Sequence, residues 1–415
     1  MQLNEEQQEM LDGKKGVPKK KAMEILTKLG EIYGAEKMVP VTSVHMPGSS
    51  VVVAGHAGTK FVENMAAEKG FFSPFTTLNT GACDLSRQEN TIGFPEDMVE
   101  MQKRLTGAYE KMGGCTLHSC VPYLNGNVPR KGEHIAWGES SAIIFANSVL
   151  GAYTNREGGP TALAAALTGC VPEYGLHLKE NRRGQVLVDV KVLLTATEEF
   201  GALGYYVGEI CEERIPVFTG IEKANLDQLK MLGAALASSG AVALYHIVGI
   251  TPEAPTLEAA FGGLQPQQEV NYGEVENKTA FAKLNRTGED SIQIVALGCP
   301  HASISEIREV AELLAGRQVK DGVKLWVMTA FPIKALAERL GYVKIIEDAG
   351  GLMVCDTCII LAPMKTVIER DGLASLATNS AKLAHYAPGQ WGFKVHYGSA
   401  AQCIEAAVNG RWNLK

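Results

Sequence analysis

Three short segments place a cysteine beside residues that break regular backbone: Cys115-Thr-Leu-His-Ser-Cys120-Val-Pro, Gly298-Cys299-Pro300-His301 and Cys355-Asp-Thr-Cys358. Glycine and proline there keep the chain out of a ladder, so that backbone amides can face the sulfur or a metal bound to it. Thiolates favour soft or redox metals, and iron–sulfur clusters require them. Three protein thiolates leave one iron valence open, which is what a Lewis acid binding a substrate hydroxyl needs. Cys355 and Cys358 also form a C-x-x-C, readable as a redox pair or as half of a zinc site. The second pair that a structural zinc site needs is absent in clean form. Any single buried cysteine can equally be a small hydrophobe. The chain has nine cysteines, an odd count, and its first thirty residues are polar with no apolar signal core. A reducing, cytoplasmic setting without a disulfide framework is therefore expected.

Other polar residues suit the handling of a carboxylate. Arg156 offers a planar fork that can grip a carboxylate bidentately, with Asn155 and Asn147 as neutral donors near it. The competing reading pairs Arg156 with Glu157 or Glu139 in a buried structural ion pair. Lys382 and Ser380 lie close to the chain end, where a solvated surface is the alternative. His301, beside Cys299, can donate to a cluster sulfur or a carboxylate, or can be a satisfied core histidine. His134 carries the same two readings.

These residues need a scaffold of several units, because 415 residues exceed one compact core. A charge of −7 gives no general attraction for nucleic acid or anionic membrane. The longest apolar stretch, Gly233 to Ile250, is interrupted by serines, glycine and histidine, and reads as a buried helix followed by a strand. Ala22, Ile25, Leu26, Leu29, Ile32 and Tyr33 share one helical face. Ser141–Leu167 reads as helix, glycine turn and Ala-rich helix. Val186–Leu194 and Ile215–Phe218 read as strands, Leu226–Ala237 as a helix and Ala241–Val248 as a strand. The polar stretch 254–290 is the expected crossing between units. Beyond it the strands Ile292–Leu297, Val323–Met328, Val343–Ile346 and Ile359–Leu361 alternate with helices, one opened by a Ser303/Glu306 capping box. That alternation predicts a doubly wound parallel sheet, with Cys299 just past the carboxyl end of its first strand. The expected division is a main α/β domain, 1–285 plus 371–415, and a smaller domain, 286–370.

Several segments together resemble the aconitase X family: Thr76-Thr-Leu-Asn79, Gly132-Glu-His-Ile-Ala-Trp137, Glu139-Ser-Ser141, Ala146-Asn-Ser148, Thr154-Asn-Arg-Glu-Gly-Gly159, Ala296-Leu-Gly-Cys-Pro-His301, Asp356-Thr-Cys358, and Thr378-Asn-Ser380-Ala-Lys382 with His385-Tyr386-Ala-Pro388. They fall in order along nearly the whole chain. The resemblance implies an aconitase-like multi-domain α/β fold and a hydro-lyase that dehydrates a small hydroxy-carboxylate. It implies an iron or iron–sulfur centre on Cys120, Cys299 and Cys358. It places Asn79, Ser140, Asn147, Asn155, Arg156 and Lys382 at the substrate, and Ser380 and His301 in acid–base roles. It also implies a separate small subunit bearing a swivelling domain with a serine base. Of the family's substrates cis-3-hydroxy-L-proline comes first and mevalonate 5-phosphate second, since no phosphate loop is evident. A zinc or redox-cysteine protein without lyase activity is the alternative from another class. The chain departs from the family pattern at Ser43–Gly55, Thr80–Asp84, Cys115 and Tyr153, which bears on the substrate more than on the reaction.

Overall fold

The computed structural model describes residues 1–87, 90–285 and 290–412. Strands group into three parallel sheets and one antiparallel pair, each packed with helices. In the first unit β1 (Met38–Pro40), β2 (Ser43–Met46), β3 (Phe75–Leu78), β4 (Ala136–Trp137) and β5 (Cys170–Pro172) form two small sheets. β2 is central between β3 and β4, both parallel to it, and β1 pairs antiparallel with β5. The second unit orders β6 (Val186–Val190), β7 (Pro216–Thr219), β8 (His246–Ile247) and β9 (Gln268–Tyr272) as β8-β7-β6-β9, all parallel.

The third unit has five parallel strands, β10 (Ile294–Leu297), β11 (Lys324–Thr329), β12 (Gly351–Cys355), β13 (Ser375–Thr378) and β14 (Lys394–Tyr397), in the order β12-β11-β10-β13-β14. β10 is buried along its whole length, as a central parallel strand covered by helices on both faces must be. No described helix is long and apolar enough to cross a membrane.

Three expectations need correction, and a fourth falls outside the described residues. Val343–Ile346 is not a strand but part of the helix Tyr342–Asp348, with Val343 and Ile346 buried three residues apart on one face. Ile359–Leu361 is a turn, in which the amides of Leu361 and Ala362 donate to the Cys358 carbonyl. The third and fourth strands are instead β12 and β13, so 371–412 continues the third sheet and does not return to the first unit. The expected boundary at residue 286 falls on 286–289, outside the described residues.

In Ala241–Val248 only His246 and Ile247 enter the ladder. Side chains take the hydrogen bonds before them: Asn147 donates to the Ala243 carbonyl at 2.9 Å, and Ser148 Oγ accepts the Tyr245 amide at 2.8 Å. The stretch 254–290 is no bare crossing either, since it holds a helix at Leu257–Phe261, β9, and a helix at Glu274–Leu284. β9 buries only Val270 and Tyr272, so its apolar signal is thin for an edge strand.

Gly298 ends β10 with φ +86°, and a Cβ built there would meet the Met328 carbonyl oxygen at 2.1 Å. Only glycine lets the chain leave the sheet this close to β11. Gly298→Ala is expected to destabilise the fold by at least about 2 kcal/mol through backbone clash and left-handed strain. Denaturant unfolding checks this, and a stability equal to wild type contradicts it.

Candidate active site at the cysteine loops

Cys299 sits one residue past Gly298 at the carboxyl end of β10, as expected, and Cys358 lies three residues past β12. Cys120 arrives from the first unit. His301 ties the three loops together. Its backbone N–H donates to Cys120 Sγ at 3.2 Å, its Nε2 lies 2.9 Å from the Thr357 carbonyl, and its Nδ1 lies 3.3 Å from Ser119 Oγ. A carbonyl only accepts, so Nε2 carries the proton and Nδ1 accepts from Ser119. Burial holds this imidazole down at about 4, hence neutral. A second tie joins the first and third units: Gly81 N–H donates to the Asp356 carbonyl at 2.7 Å, and Thr357 Oγ1 donates to the Gly81 carbonyl at 2.9 Å.

All three thiols are buried. Cys120 takes the His301 amide and Cys358 takes Thr80 Oγ1 at 3.6 Å, while the Ser380 side chain acts to lower the proton affinity of Cys299. Burial pushes Cys299 up to about 12 and raises Cys120 and Cys358 as well. The ammonium of Lys382 acts against that rise at all three sulfurs, and Cys358 interacts electrostatically with both Cys120 and Cys299. Among the described residues no three His, Cys, Asp or Glu side chains group closely enough to hold a single metal ion. The donor set nonetheless suits iron–sulfur chemistry in kind: three soft sulfurs, sheltered from water, with amide and hydroxyl donors on them.

Beside the sulfurs lies a buried ion pair that the sequence reading did not select. Lys382 Nζ donates to Glu139 Oε1 at 2.5 Å, and Asn79 Nδ2 donates to Glu139 Oε2 at 3.1 Å. Ser141 Oγ and Ser140 Oγ donate to Glu139 Oε1 at 3.1 and 3.3 Å, and Ser140 Oγ also lies 3.5 Å from Lys382 Nζ. Burial alone would raise the Glu139 carboxyl, but the charge and hydrogen bond of Lys382 outweigh it and hold the group at about 2. Glu139, Asn79, Ser140 and Lys382 therefore form one connected polar cluster facing the cysteines. Lys382 is buried, so the solvated-surface reading does not hold.

The other selected residues have different settings. Asn147 is fully occupied: its amide nitrogen serves the Thr154 and Ala243 carbonyls, while its oxygen accepts from Thr154 N and Arg182 Nη1. Asn155 bridges the Tyr174 carbonyl and the Leu176 amide. Both asparagines brace the turn that carries Arg156. Arg156 itself is exposed and donates to the Ala241 carbonyl at 2.6 Å, with no salt bridge to Glu157 or Glu139. Ser380 caps the helix Ala381–Trp391 by accepting the Leu383 amide at 3.0 Å.

Lys382→Met would leave Glu139 buried without its cation, a change expected to destabilise by about 3 kcal/mol near neutral pH. Adding Glu139→Gln should recover part of the loss, which a double-mutant cycle in denaturant reads directly. The sign with pH follows from the lowered carboxyl. The pair's contribution is present above pH 4.5 and fades as pH falls through about 2, so the gap between variant and wild type should narrow in acid. A gap that widens in acid contradicts the assignment.

Models of the aconitase X first, second and third domains match residues 1–180, 184–282 and 292–409. The phosphomevalonate dehydratase large subunit of Methanothermobacter thermautotrophicus is 44% identical over 395 residues, spanning 95% of this chain and 96% of that protein. The cis-3-hydroxy-L-proline dehydratase of Pseudomonas aeruginosa is 37% identical over 407 residues, spanning 97% of this chain and 69% of that one. Among solved structures, the holo form of aconitase X from Thermococcus kodakaraensis superposes with a TM-score of 0.88 at 36% identity, covering 98% of this chain and 100% of that one. Three parallel-sheet units, a match along the full chain and relatives named as dehydratases agree: the chain belongs to the aconitase X family of hydro-lyases.

Proposed function

We propose that the chain is the large subunit of a two-chain, iron-dependent phosphomevalonate dehydratase. The observation that carries the substrate choice is sequence identity. The chain spans 96% to 100% of the large subunits from Methanothermobacter thermautotrophicus and Methanocaldococcus jannaschii, at 44% and 41% identity. It is 37% and 35% identical to the cis-3-hydroxy-L-proline dehydratases of Pseudomonas aeruginosa and Hypocrea jecorina. That inverts the order favoured by the residues alone, although relatives named for either reaction match.

An iron–sulfur centre on Cys120, Cys299 and Cys358 would supply a Lewis acid for the departing hydroxyl. The chain's own groups do the rest of the work. Lys382, kept cationic beside Glu139, offers positive charge to an anionic substrate and to the thiolates together. Arg156, on a braced turn, can exchange its backbone carbonyl for a substrate carboxylate, a stronger acceptor.

His301 has its polar atoms engaged in holding the cysteine loops, and Ser380 Oγ accepts the Leu383 amide as a helix cap, which supports a base supplied by another chain. The relatives named as large subunits point to the same partner. A place for it is the kinked helix Val51–Ala67, whose Val52 and Val53 are exposed above a groove of about 450 Å³. Pro47, Phe61, Tyr109 and Pro160 line that groove. Apolar surface of this kind marks a docking face.

Anaerobic purification with and without a co-encoded small subunit tests the reading. The chain alone is expected to carry iron with broad visible charge-transfer bands yet turn over little. Addition of the partner should restore dehydration, with kcat/KM for mevalonate 5-phosphate at least about tenfold above that for cis-3-hydroxy-L-proline. Full activity without the partner removes the two-chain proposal, the reverse preference removes the substrate, and zinc in place of iron removes the metal.

A further inference from the structure

Lys230 is 1% exposed, on the helix Leu226–Gly240 of the second unit, and is not among the groups around the cysteines. Its ammonium has three N–H bonds and finds three acceptors: Asp227 Oδ1 at 3.2 Å, Glu306 Oε2, and the backbone carbonyl of His301 at 3.4 Å. Ser303 closes the group, donating from Oγ to Asp227 Oδ2 at 2.9 Å and from its amide to Glu306 Oε2 at 2.8 Å. Three of these contacts cross from the second unit to the third, and all land on 301–306, the chain that follows Cys299.

A buried ion cluster of this kind is a poor source of net stability, because desolvation offsets the attraction, and an apolar residue of similar length fills the space as well. What it does supply is direction. The His301 carbonyl is pinned on one side by Lys230, while the same residue's amide holds Cys120 Sγ and its ring holds Ser119 and Thr357. Each remaining polar atom of His301 thus has one fixed partner.

We infer that Lys230, with Asp227 and Glu306, is a positioning residue that sets the Cys299–His301 loop from behind. Its meaning for catalysis rests on the proposed metal role of the cysteines, but its effect on the loop does not.

The test uses the full chain, stripped of iron by a chelator, with alkylation of each cysteine by iodoacetamide followed by mass spectrometry. In Lys230→Met the rate at Cys299 and Cys120 is expected to rise at least about tenfold through local opening of the loop. The rates at Cys211 and Cys403, buried in the cores of the second and third units, should stay at the wild-type value. A Cys299 rate equal to wild type overturns the inference. So does a parallel rise at Cys211 and Cys403, which would mark a merely structural residue. Should Lys230→Met fail to fold, Asp227→Asn, which keeps the shape and loses one charge, is expected to give the same selective pattern at smaller size, and no change at Cys299 would sink it. Wild-type chain that never binds iron would count against the metal proposal, while these alkylation rates still decide the role of Lys230. Where iron is bound, Lys230→Met should also shift its visible bands, which a uniform loss of stability would not do.

Discussion

The fold depends on satisfying one buried imidazole. His301 is neutral, enclosed, and bonded through its amide, both ring nitrogens and its carbonyl to three different segments. An unpaired polar group at such depth would cost about 1–3 kcal/mol, so these bonds act as constraints on where the segments can lie. Because Thr357 can only accept, the tautomer is fixed, and Ser119 must then donate. The loop bearing Cys120 comes from the first unit, those bearing Cys299 and Cys358 from two strands of the third sheet, and this residue is where they are brought to a common register. The tight exit at Gly298 is the companion condition, since the loop must turn beside β11 before His301 can reach its partners.

Charge around the sulfurs follows from the same enclosure. Three neutral thiols beside a Glu139–Lys382 pair give a site with no net charge. Ionising the thiols for a metal would add negative charge, and Lys382 is the cation that already opposes their raised proton affinity at each position. Glu139 keeps that lysine in place, while Asn79, Ser140 and Ser141 bind the carboxylate on its remaining lone pairs. The pair reads as the fixed electrostatic floor of the site, with the ammonium shared between what binds above it and the carboxylate below.

The placement of Cys299 at a strand end was legible because glycine and proline mark where backbone leaves a sheet, and those marks are local. The first and second strands of the third sheet were legible for a similar reason: continuous apolar runs such as Ile294–Leu297 separated by a capped helix. Val343–Ile346 was not, since a run of four apolar-rich residues fits a short helix or a strand until its burial is known. Ala241–Val248 misled because its ladder positions are taken by Asn147 and Ser148, nearly a hundred residues away. Glu139 stayed hidden for the same cause. Its cation lies 243 residues downstream, and nearby Arg156 offered a more obvious partner that the fold does not use.

That unused pairing bears on how the substrate is met. Glu139 is committed to Lys382 and Glu157 is buried, while the guanidinium of Arg156 donates to the Ala241 carbonyl. Asn147 and Asn155, read from sequence as ligand donors, spend their amides on the backbone of the 154–155 turn and on the 174–176 segment instead. A turn held at both ends loses little further freedom when it meets a ligand, so Arg156 can be presented in a fixed direction while its side chain remains in water. The polar residues of this segment therefore divide by burial: the enclosed ones set the backbone, and the exposed one, Arg156, is the one we propose for recognition.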